Sequence, residues 1–460
     1  MELIKQIQDA IGSEKVRFGE DVQSAYHHIW YMDIPLKAKA ILLPTSTEDV
    51  SIIMKLCNAA NQAVIIHGGR TNLVGGTETN ENEIVLSLEK MNAIEEVDTS
   101  SRTITVQAGV ILENIQNAAD ANDLLFPLNF GAKGSTQAGG FIATNAGGLR
   151  VFRFGMTRNL VLGLEVVLPD GRVISSLKKI IKDNTGYDLK QLFVGSEGTL
   201  GIITKAVLKL VEKPQSRVSA FVGISSFEKV IQFFKRIDKG MGGVLSGYEL
   251  LWHQTYYTMT HSNESISPPI KAEYPYYVLI EGLGSNQSSD QERMQSVLMQ
   301  ALEEGIIDDA VPAQSQSDLD WFWTIREDVH MLKMACTIDQ HFDISLPIPL
   351  IGDYVDGVTK KLNAIPEVEI VFAFGHLADG NIHLIVGKEN DADSLTNQIN
   401  AVVYKPLKGL GGSVSAEHGI GVHKKAYLHL CRTPEELVVM KQLKSSFDPK
   451  GILNQGKIFD

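Results

Sequence analysis

The sequence predicts an α+β chain with two separately cored regions, and three observations carry that expectation. At 460 residues, with 44% hydrophobic and 21% charged residues, the chain has the composition of an ordinary globular protein and room for two or three domains. A run of β-branched residues, Val64-Ile65-Ile66, passes through His67 straight into the glycine-rich loop Gly68-Gly69-Arg70-Thr71-Asn72-Leu73-Val74-Gly75-Gly76. Near residue 215 the pattern changes: Pro214 and the polar residues after it mark a boundary, and beyond it strands alternate with longer helical stretches.

The elements follow in order. Residues 1 to about 37 read as an N-terminal helix and a loop. Ala40-Ile41-Leu42-Leu43 is a strand stopped by Pro44. Thr45 to Glu48 has capping-box form, and Val50, Ile53, Met54 and Cys57 follow at helical spacing until Asn61. The strand into the glycine loop comes next. This strand–helix–strand unit is similar to the start of a dinucleotide fold, without the G-x-G-x-x-G of a Rossmann turn. Further strands are expected at Ile84–Leu88, Ile94–Val97 and Thr103–Gln107, and a helix at Leu112–Ala121. Leu162–Leu168 and Arg172–Ile174 flank a Pro169-Asp170-Gly171 turn, and Ile202–Leu210 forms another strand. In the second region Val218–Ile224, Tyr276–Glu281, Glu369–Phe374 and His383–Val386 read as strands. Phe227–Ile237, Asp290–Glu304, Asp318–Met334, Asp353–Leu362 and Ser394–Leu407 read as helices, packed on one face of an antiparallel sheet.

Charge and cysteine usage exclude several classes. A net charge of −13 argues against a nucleic-acid surface and does not favour an anionic membrane. Cys57, Cys336 and Cys431 have no paired spacing, so no disulfide framework is expected. The start of the chain has no signal-peptide pattern, and no stretch approaches the roughly 20 apolar residues of a membrane span. These features predict a cytoplasmic protein.

The glycine loop has two readings, a surface turn or a concavity of backbone N–H groups that holds an anion. A second backbone-dense patch, Gly131 to Ser135 through Gly139-Gly140 and Thr144-Asn145 to Gly147-Gly148, favours the latter and suggests a long diphosphate ligand.

Two further motifs extend the pattern: Gly375-His376-Leu377-Ala378-Asp379-Gly380-Asn381-Ile382-His383 and Ser415-Ala416-Glu417-His418-Gly419-Ile420-Gly421. With the glycine loop, the segment Gly195 to Thr204 and the closing run Asp448 to Lys457, they resemble the D-2-hydroxyacid dehydrogenase branch of the vanillyl-alcohol oxidase type flavoproteins. The resemblance runs from about residue 38 to the C-terminus. It implies an FAD-binding domain at 38–215, a substrate and metal-binding α+β cap with an antiparallel sheet at 216–425, and a C-terminal segment, 426–460, returning to the FAD domain. Residues 1–37 stand before these as a helical segment.

By this resemblance the FAD pyrophosphate lies against Gly68, Gly69, Arg70, Thr71 and Asn72, with Gly75 and Gly76 nearby. Pro127, Gly134, Ser135, Gly139, Gly140, Thr144, Asn145 and Gly147 line the isoalloxazine side, and Glu197, Gly198, Ile203 and Asn454 complete the site. Thr71 stands where some relatives attach FAD through a histidine, so the flavin is expected to be non-covalent. Arg70 stands where this branch usually has glycine.

His376 and His383 lie across a glycine turn. Each is on its own a hydrogen-bonded structural histidine or a ligand; with Glu417 they form a two-histidine, one-carboxylate set suited to zinc or manganese. The resemblance gives His418 the role of general base and Arg326 that of binding the substrate carboxylate, against a plain surface ion pair for the arginine. His341, His330 and Ile385 replace the lysine, threonine and asparagine usual in 2-hydroxyglutarate dehydrogenases. They set D-lactate or an apolar D-2-hydroxyacid beside 2-hydroxyglutarate as substrate. The implied activity is FAD-dependent, metal-assisted oxidation of a D-2-hydroxyacid, with electron-transfer flavoprotein, a quinone or a cytochrome as acceptor; a homodimer is compatible with the sequence. A sugar or alcohol oxidase on the same fold, or a metal-dependent hydrolase with an empty nucleotide fold, are the alternatives.

Overall fold

The computed structural model describes residues 2–25, 36–262 and 267–460. The expected N-terminal helix is Glu2–Ile11, whereas the loop expected at 26–35 lies outside the described residues. The chain forms two units. Met1–Gly147, Gly155–Lys213 and Glu417–Asp460 make the first, and Gly148–Phe154 with Pro214–Ala416 the second.

The first unit holds two main sheets. Ala40–Leu42, Ile84–Ser87 and Val64–His67 run parallel in that spatial order, and Val16–Phe18 pairs antiparallel at the edge. Parallel neighbours need a crossover, and helix Thr47–Ala59 supplies it between the first and third of these strands in space. Its cap is shifted by one residue from the Thr45–Glu48 expectation. Ser46 accepts the Asp49 N–H, and the Asp49 carboxylate turns back to Thr45. Ile4, Ile7 and Ile11 recur at helical spacing and bury one face of the N-terminal helix in the same core. Full burial of each such side chain contributes roughly 1.5–3 kcal/mol.

The second sheet is antiparallel, with Ile94–Asp98, Thr103–Gln107, Ile202–Lys209, Val161–Val167 and Val173–Ser176 in spatial order. Its last hairpin closes through the expected Pro169-Asp170-Gly171 turn, where Gly171 holds φ 84°.

The second unit is built on one seven-stranded antiparallel sheet. Its spatial order is Asp309–Pro312, Ser216–Ile224, Tyr276–Gly284, Leu245–Trp252, Val368–His376, Asn381–Lys388 and Ile338–Ser345. Helices cover both faces rather than the one expected. Tyr256 and Phe322, from helices His253–His261 and Gln316–Glu327, meet Phe221 on one face. Phe233, from helix Phe227–Met241, meets Tyr248 on the other. Two covered faces explain why Leu245–Trp252 and Tyr276–Gly284 are buried almost throughout instead of alternating with solvent.

Candidate active site

The clearest concentration of chemistry in the second unit lies at the Val368–His376/Asn381–Lys388 hairpin. Its turn requires glycine: Gly380 holds φ 83°, and a Cβ there would stand 2.5 Å from the Leu346 carbonyl oxygen. The hairpin register opposes Phe374 to His383, which places His376 two residues further along the same face. The two imidazole centroids are 5.4 Å apart, with ring planes at 89°, and a nitrogen of one lies within 4.8 Å of a nitrogen of the other.

Two buried carboxylates stand behind these rings. Glu249 lies directly across from His376 in the sheet and takes the His376 Nδ1 at 2.6 Å on one oxygen. Its other oxygen accepts from Arg326 Nε at 2.8 Å and pairs with Arg326 Nη2 at 2.7 Å. Burial drives the Glu249 acid upward, but the charges of His376 and Arg326 outweigh it, and the group stays below the ordinary glutamate range. Asp343, opposite His383, has an oxygen 4.0 Å from His383 Nδ1 and accepts from Asn381 Nδ2 at 2.9 Å. Its second oxygen accepts from Ser415 Oγ at 3.2 Å and the Ala416 N–H at 3.1 Å. Glu417 and His418 follow Ala416 directly, as the opening residues of the last segment of the first unit. Asp379, in the hairpin turn, is pushed up to about 6 by burial, against the pull of His376 and the Asn381 N–H.

Arg326 is 5% exposed and lies over the Phe374 ring, so it is no surface arginine. The helix expected over Asp318–Met334 is two helices, Gln316–Glu327 and Val329–Met334, broken at Asp328 with ψ 60°. That break removes the four-residue helical relation between Arg326 and His330, and His330 is exposed. His341 sits on the edge strand, paired through Nε2 with Asp339 at 2.5 Å. Ile385, opposite His341, is 1% exposed and packs with Phe372 and Phe374 in the apolar core.

The sequence reading did not single out Glu249 or Asp343. Asp343 lies two residues from His341 and hence on its face of the strand. For Glu249 the available signal was one acid inside the apolar run Leu245–Trp252, because a buried carboxylate persists only with partners.

In the first unit the two glycine-rich patches touch. A Cβ on Gly69 would stand 2.0 Å from the Ser135 carbonyl oxygen, so the backbones meet where only glycine fits. Asn72 Oδ1 accepts the Gly76 N–H at 2.7 Å and curls the loop. Arg70 holds φ 54°, a left-handed backbone without being glycine. His67 beneath the loop is fully buried, and burial drives its pKa down to about 3, so it is neutral.

Across from this loop, helix Ala138–Ala143 carries Gly139 and Gly140 in its first turn. A Cβ on Gly140 would meet nothing within 4 Å, which leaves open space against bare backbone. Thr144 Oγ1 donates to the Gly140 carbonyl, and Asn145 Oδ1 accepts the Arg158 N–H at 2.9 Å. Pro127, Gly147, Gly198 and Ile203 are buried, whereas Gly134 and Ser135 are exposed.

Glu197 and Asn454 are committed to the protein itself. The Glu197 oxygens accept the Ile420 and Gly421 N–H groups, both at 2.7 Å. Burial raises the Glu197 acid and those two bonds lower it, with burial prevailing. Asn454 Nδ2 donates to the Glu197 carbonyl at 2.6 Å. The glycine loop, the open space at Gly140 and the curled N–H groups suit a dinucleotide laid along backbone.

Comparison with known proteins agrees. Residues 38–176 match the family model of the FAD binding domain, and residues 213–458 that of the FAD linked oxidases, C-terminal domain. A Schizosaccharomyces pombe protein provisionally named a mitochondrial D-lactate dehydrogenase is 39% identical over 93% of this chain and 83% of its own length. The mitochondrial D-2-hydroxyglutarate dehydrogenase of Bos taurus is 39% identical over 93% of this chain and 78% of its own. Among solved structures, p-cresol methylhydroxylase superposes with a TM-score of 0.76 at 15% identity, covering 100% of this chain and 96% of that one. The superposition shows a shared fold, the two-part α+β architecture of vanillyl-alcohol oxidase type flavoenzymes. The expectation of a cytoplasmic protein is overturned, since both of these relatives are named as mitochondrial. Three unbridged cysteines fit a reducing compartment without telling one such compartment from another. No described helix is long and apolar enough to cross a membrane.

Proposed function

Because the chain belongs to the FAD-linked oxidases, alongside the D-2-hydroxyglutarate and D-lactate dehydrogenases, and is an FAD-dependent oxidoreductase acting on CH–OH groups, we propose that it oxidises a D-2-hydroxyacid to the 2-oxoacid with help from a divalent cation. The observation that carries the metal part is the facing pair His376 and His383 with buried carboxylates behind them. Carboxylate-backed imidazoles are what a zinc or manganese ion takes as ligands. His376 gives Nδ1 to Glu249, which directs its other nitrogen, Nε2, to the ligand role.

FAD, when bound, accepts the hydride that leaves C2 of the substrate. A divalent cation, when bound, stabilises the negative charge developing on the substrate hydroxyl oxygen. The residues of the chain divide the remaining work. His376, His383 and Glu417 hold the cation, and His418 receives the hydroxyl proton. Arg326 receives the substrate carboxylate: a guanidinium has five N–H donors, so an edge remains beyond the bonds to Glu249. Gly68 to Asn72 take the pyrophosphate and the Gly139–Asn145 run takes the flavin ring. Thr71, at the attachment position, makes the flavin non-covalent.

His341 paired with Asp339 and His330 in solvent make a poor pair of receptors for a second carboxylate. D-lactate and apolar D-2-hydroxyacids are therefore the favoured substrates over 2-hydroxyglutarate. The test is the anaerobic visible spectrum of the purified protein before and after D-2-hydroxyglutarate, D-lactate and longer D-2-hydroxyacids. Fastest bleaching of the flavin band by an apolar acid is the expected result. Fastest bleaching by D-2-hydroxyglutarate would reverse the preference, and bleaching by none would sink the substrate class.

A further inference from the structure

The geometry points to Glu249 as a shared positioning residue, one carboxylate that sets both the metal-ligating imidazole of His376 and the substrate-binding guanidinium of Arg326. The inference rests on the metal and carboxylate roles proposed above. Glu249 lies on the central strand Leu245–Trp252, fully buried, with its two oxygens divided between the two partners. His376 Nδ1 stands 2.6 Å from Oε1, while Arg326 Nε and Nη2 stand 2.8 and 2.7 Å from Oε2. The partners come from different elements, a strand end and a helix.

Such an arrangement does two things. Accepting from Nδ1 fixes the His376 tautomer and ring plane, and ligand-orienting partners of this kind are worth about 10–100-fold in metal affinity. Accepting from Nε and Nη2 fixes the plane of the guanidinium, on which bidentate recognition of a carboxylate depends. Loss of the charge therefore weakens metal and substrate together. The same sheet supplies a control: Glu281 is also fully buried and also holds two cations, Arg150 and Arg217, but touches neither His376 nor Arg326.

The test compares wild type, Glu249→Gln and Glu281→Gln in the flavin-loaded protein. Zinc affinity is read by elemental analysis after dialysis against a graded series of chelator buffers, and KM and kcat for D-lactate are read separately. Glu249→Gln is expected to lose tenfold or more in zinc affinity and to raise KM at saturating zinc. Glu281→Gln is expected to lower thermal stability with zinc affinity kept within twofold. Zinc affinity and KM both unchanged in Glu249→Gln, or only one of them changed, overturns the shared role. Zinc affinity falling equally in Glu281→Gln reduces the effect to general loosening and overturns it too. Wild type that binds no zinc sinks the metal reading itself, a distinct result. If Glu249→Gln does not fold, Glu249→Asp replaces it: the charge stays but the shorter arm cannot serve both partners, so the same paired losses are expected.

Discussion

Asn454 Oδ1 accepts the Ile66 backbone N–H at 2.8 Å, joining residues 388 apart in sequence at the strand that feeds the glycine loop. The same side chain donates to the Glu197 carbonyl, and its own N–H donates to Val64. The end of the chain thus adds a parallel bridge to an edge that would otherwise be unpaired. Asn454→Ala leaves the Ile66 N–H and the Glu197 carbonyl without these partners. At about 1–3 kcal/mol for each group left without its partner, a loss of roughly 2–6 kcal/mol is expected by urea unfolding. Flavin release is expected to accompany it at lower urea, because the strand and the loop are continuous. Asn454→Asp keeps the acceptor for Ile66 and is expected to lose about half as much.

His376 and His383 both belong to the second unit, while the glycine loop and the Gly139–Asn145 run belong to the first. Replacing either histidine with Ala is therefore expected to remove bound metal and turnover and leave flavin absorbance intact. Elemental analysis and the visible spectrum of the same sample read both. Loss of flavin with metal retained would show these histidines to be wrongly assigned.

Glu281 is one carboxylate whose folded-state pairing makes the second unit sensitive to acid. Burial pushes its pKa up, but Arg150, Arg217 and the hydroxyl of Ser246 pull it down to about 2, from an ordinary 4.5. A carboxyl with a depressed folded pKa contributes stability that is present above the unfolded value and lost as pH falls through the folded one. The contribution, on the order of 3 kcal/mol at about 1.4 kcal/mol per unit, is therefore whole above pH 4.5 and fades toward pH 2. Wild-type stability is expected to fall more steeply between about pH 5 and about pH 3 than that of Glu281→Gln, measured by chemical denaturation at each pH. Parallel slopes would refute the assignment.

What was legible in the sequence follows from where each signal resides. Val64–His67 and its loop were readable because β-branched residues and glycine act locally. The hairpin histidines were readable from their motif, since the glycine turn between them is also local. Leu245–Trp252 gave no alternation because helices cover both faces of its sheet, and Ile338–Ser345 was hidden by the polar residues of an edge position. The break at Asp328, and the union of Glu249 with Arg326 across 77 residues, depend on tertiary packing that local spacing does not encode. The place of Ile385 in the core is set in the same way, by Phe372 and Phe374 on a neighbouring strand.

Arg70 offers the sharpest test of the glycine loop. It holds φ 54°, a region in which a Cβ crowds the backbone and costs roughly 1–2 kcal/mol. Glycine pays no such steric cost there, although it gains entropy in the unfolded chain. Arg70→Gly is therefore expected to stabilise the flavin-free protein by up to about 1 kcal/mol, and Arg70→Ala to leave it nearly unchanged. The flavin-loaded protein should respond in the opposite sense. Removing a guanidinium from a loop proposed to hold a pyrophosphate weakens FAD binding, so both variants should release flavin at lower dilution than wild type. Thermal unfolding of flavin-free and loaded samples, with a flavin dissociation constant for each, separates the backbone effect from the charge effect. Equal dissociation constants in all three proteins would remove Arg70 from the cofactor site and leave its left-handed backbone as a feature of the fold alone.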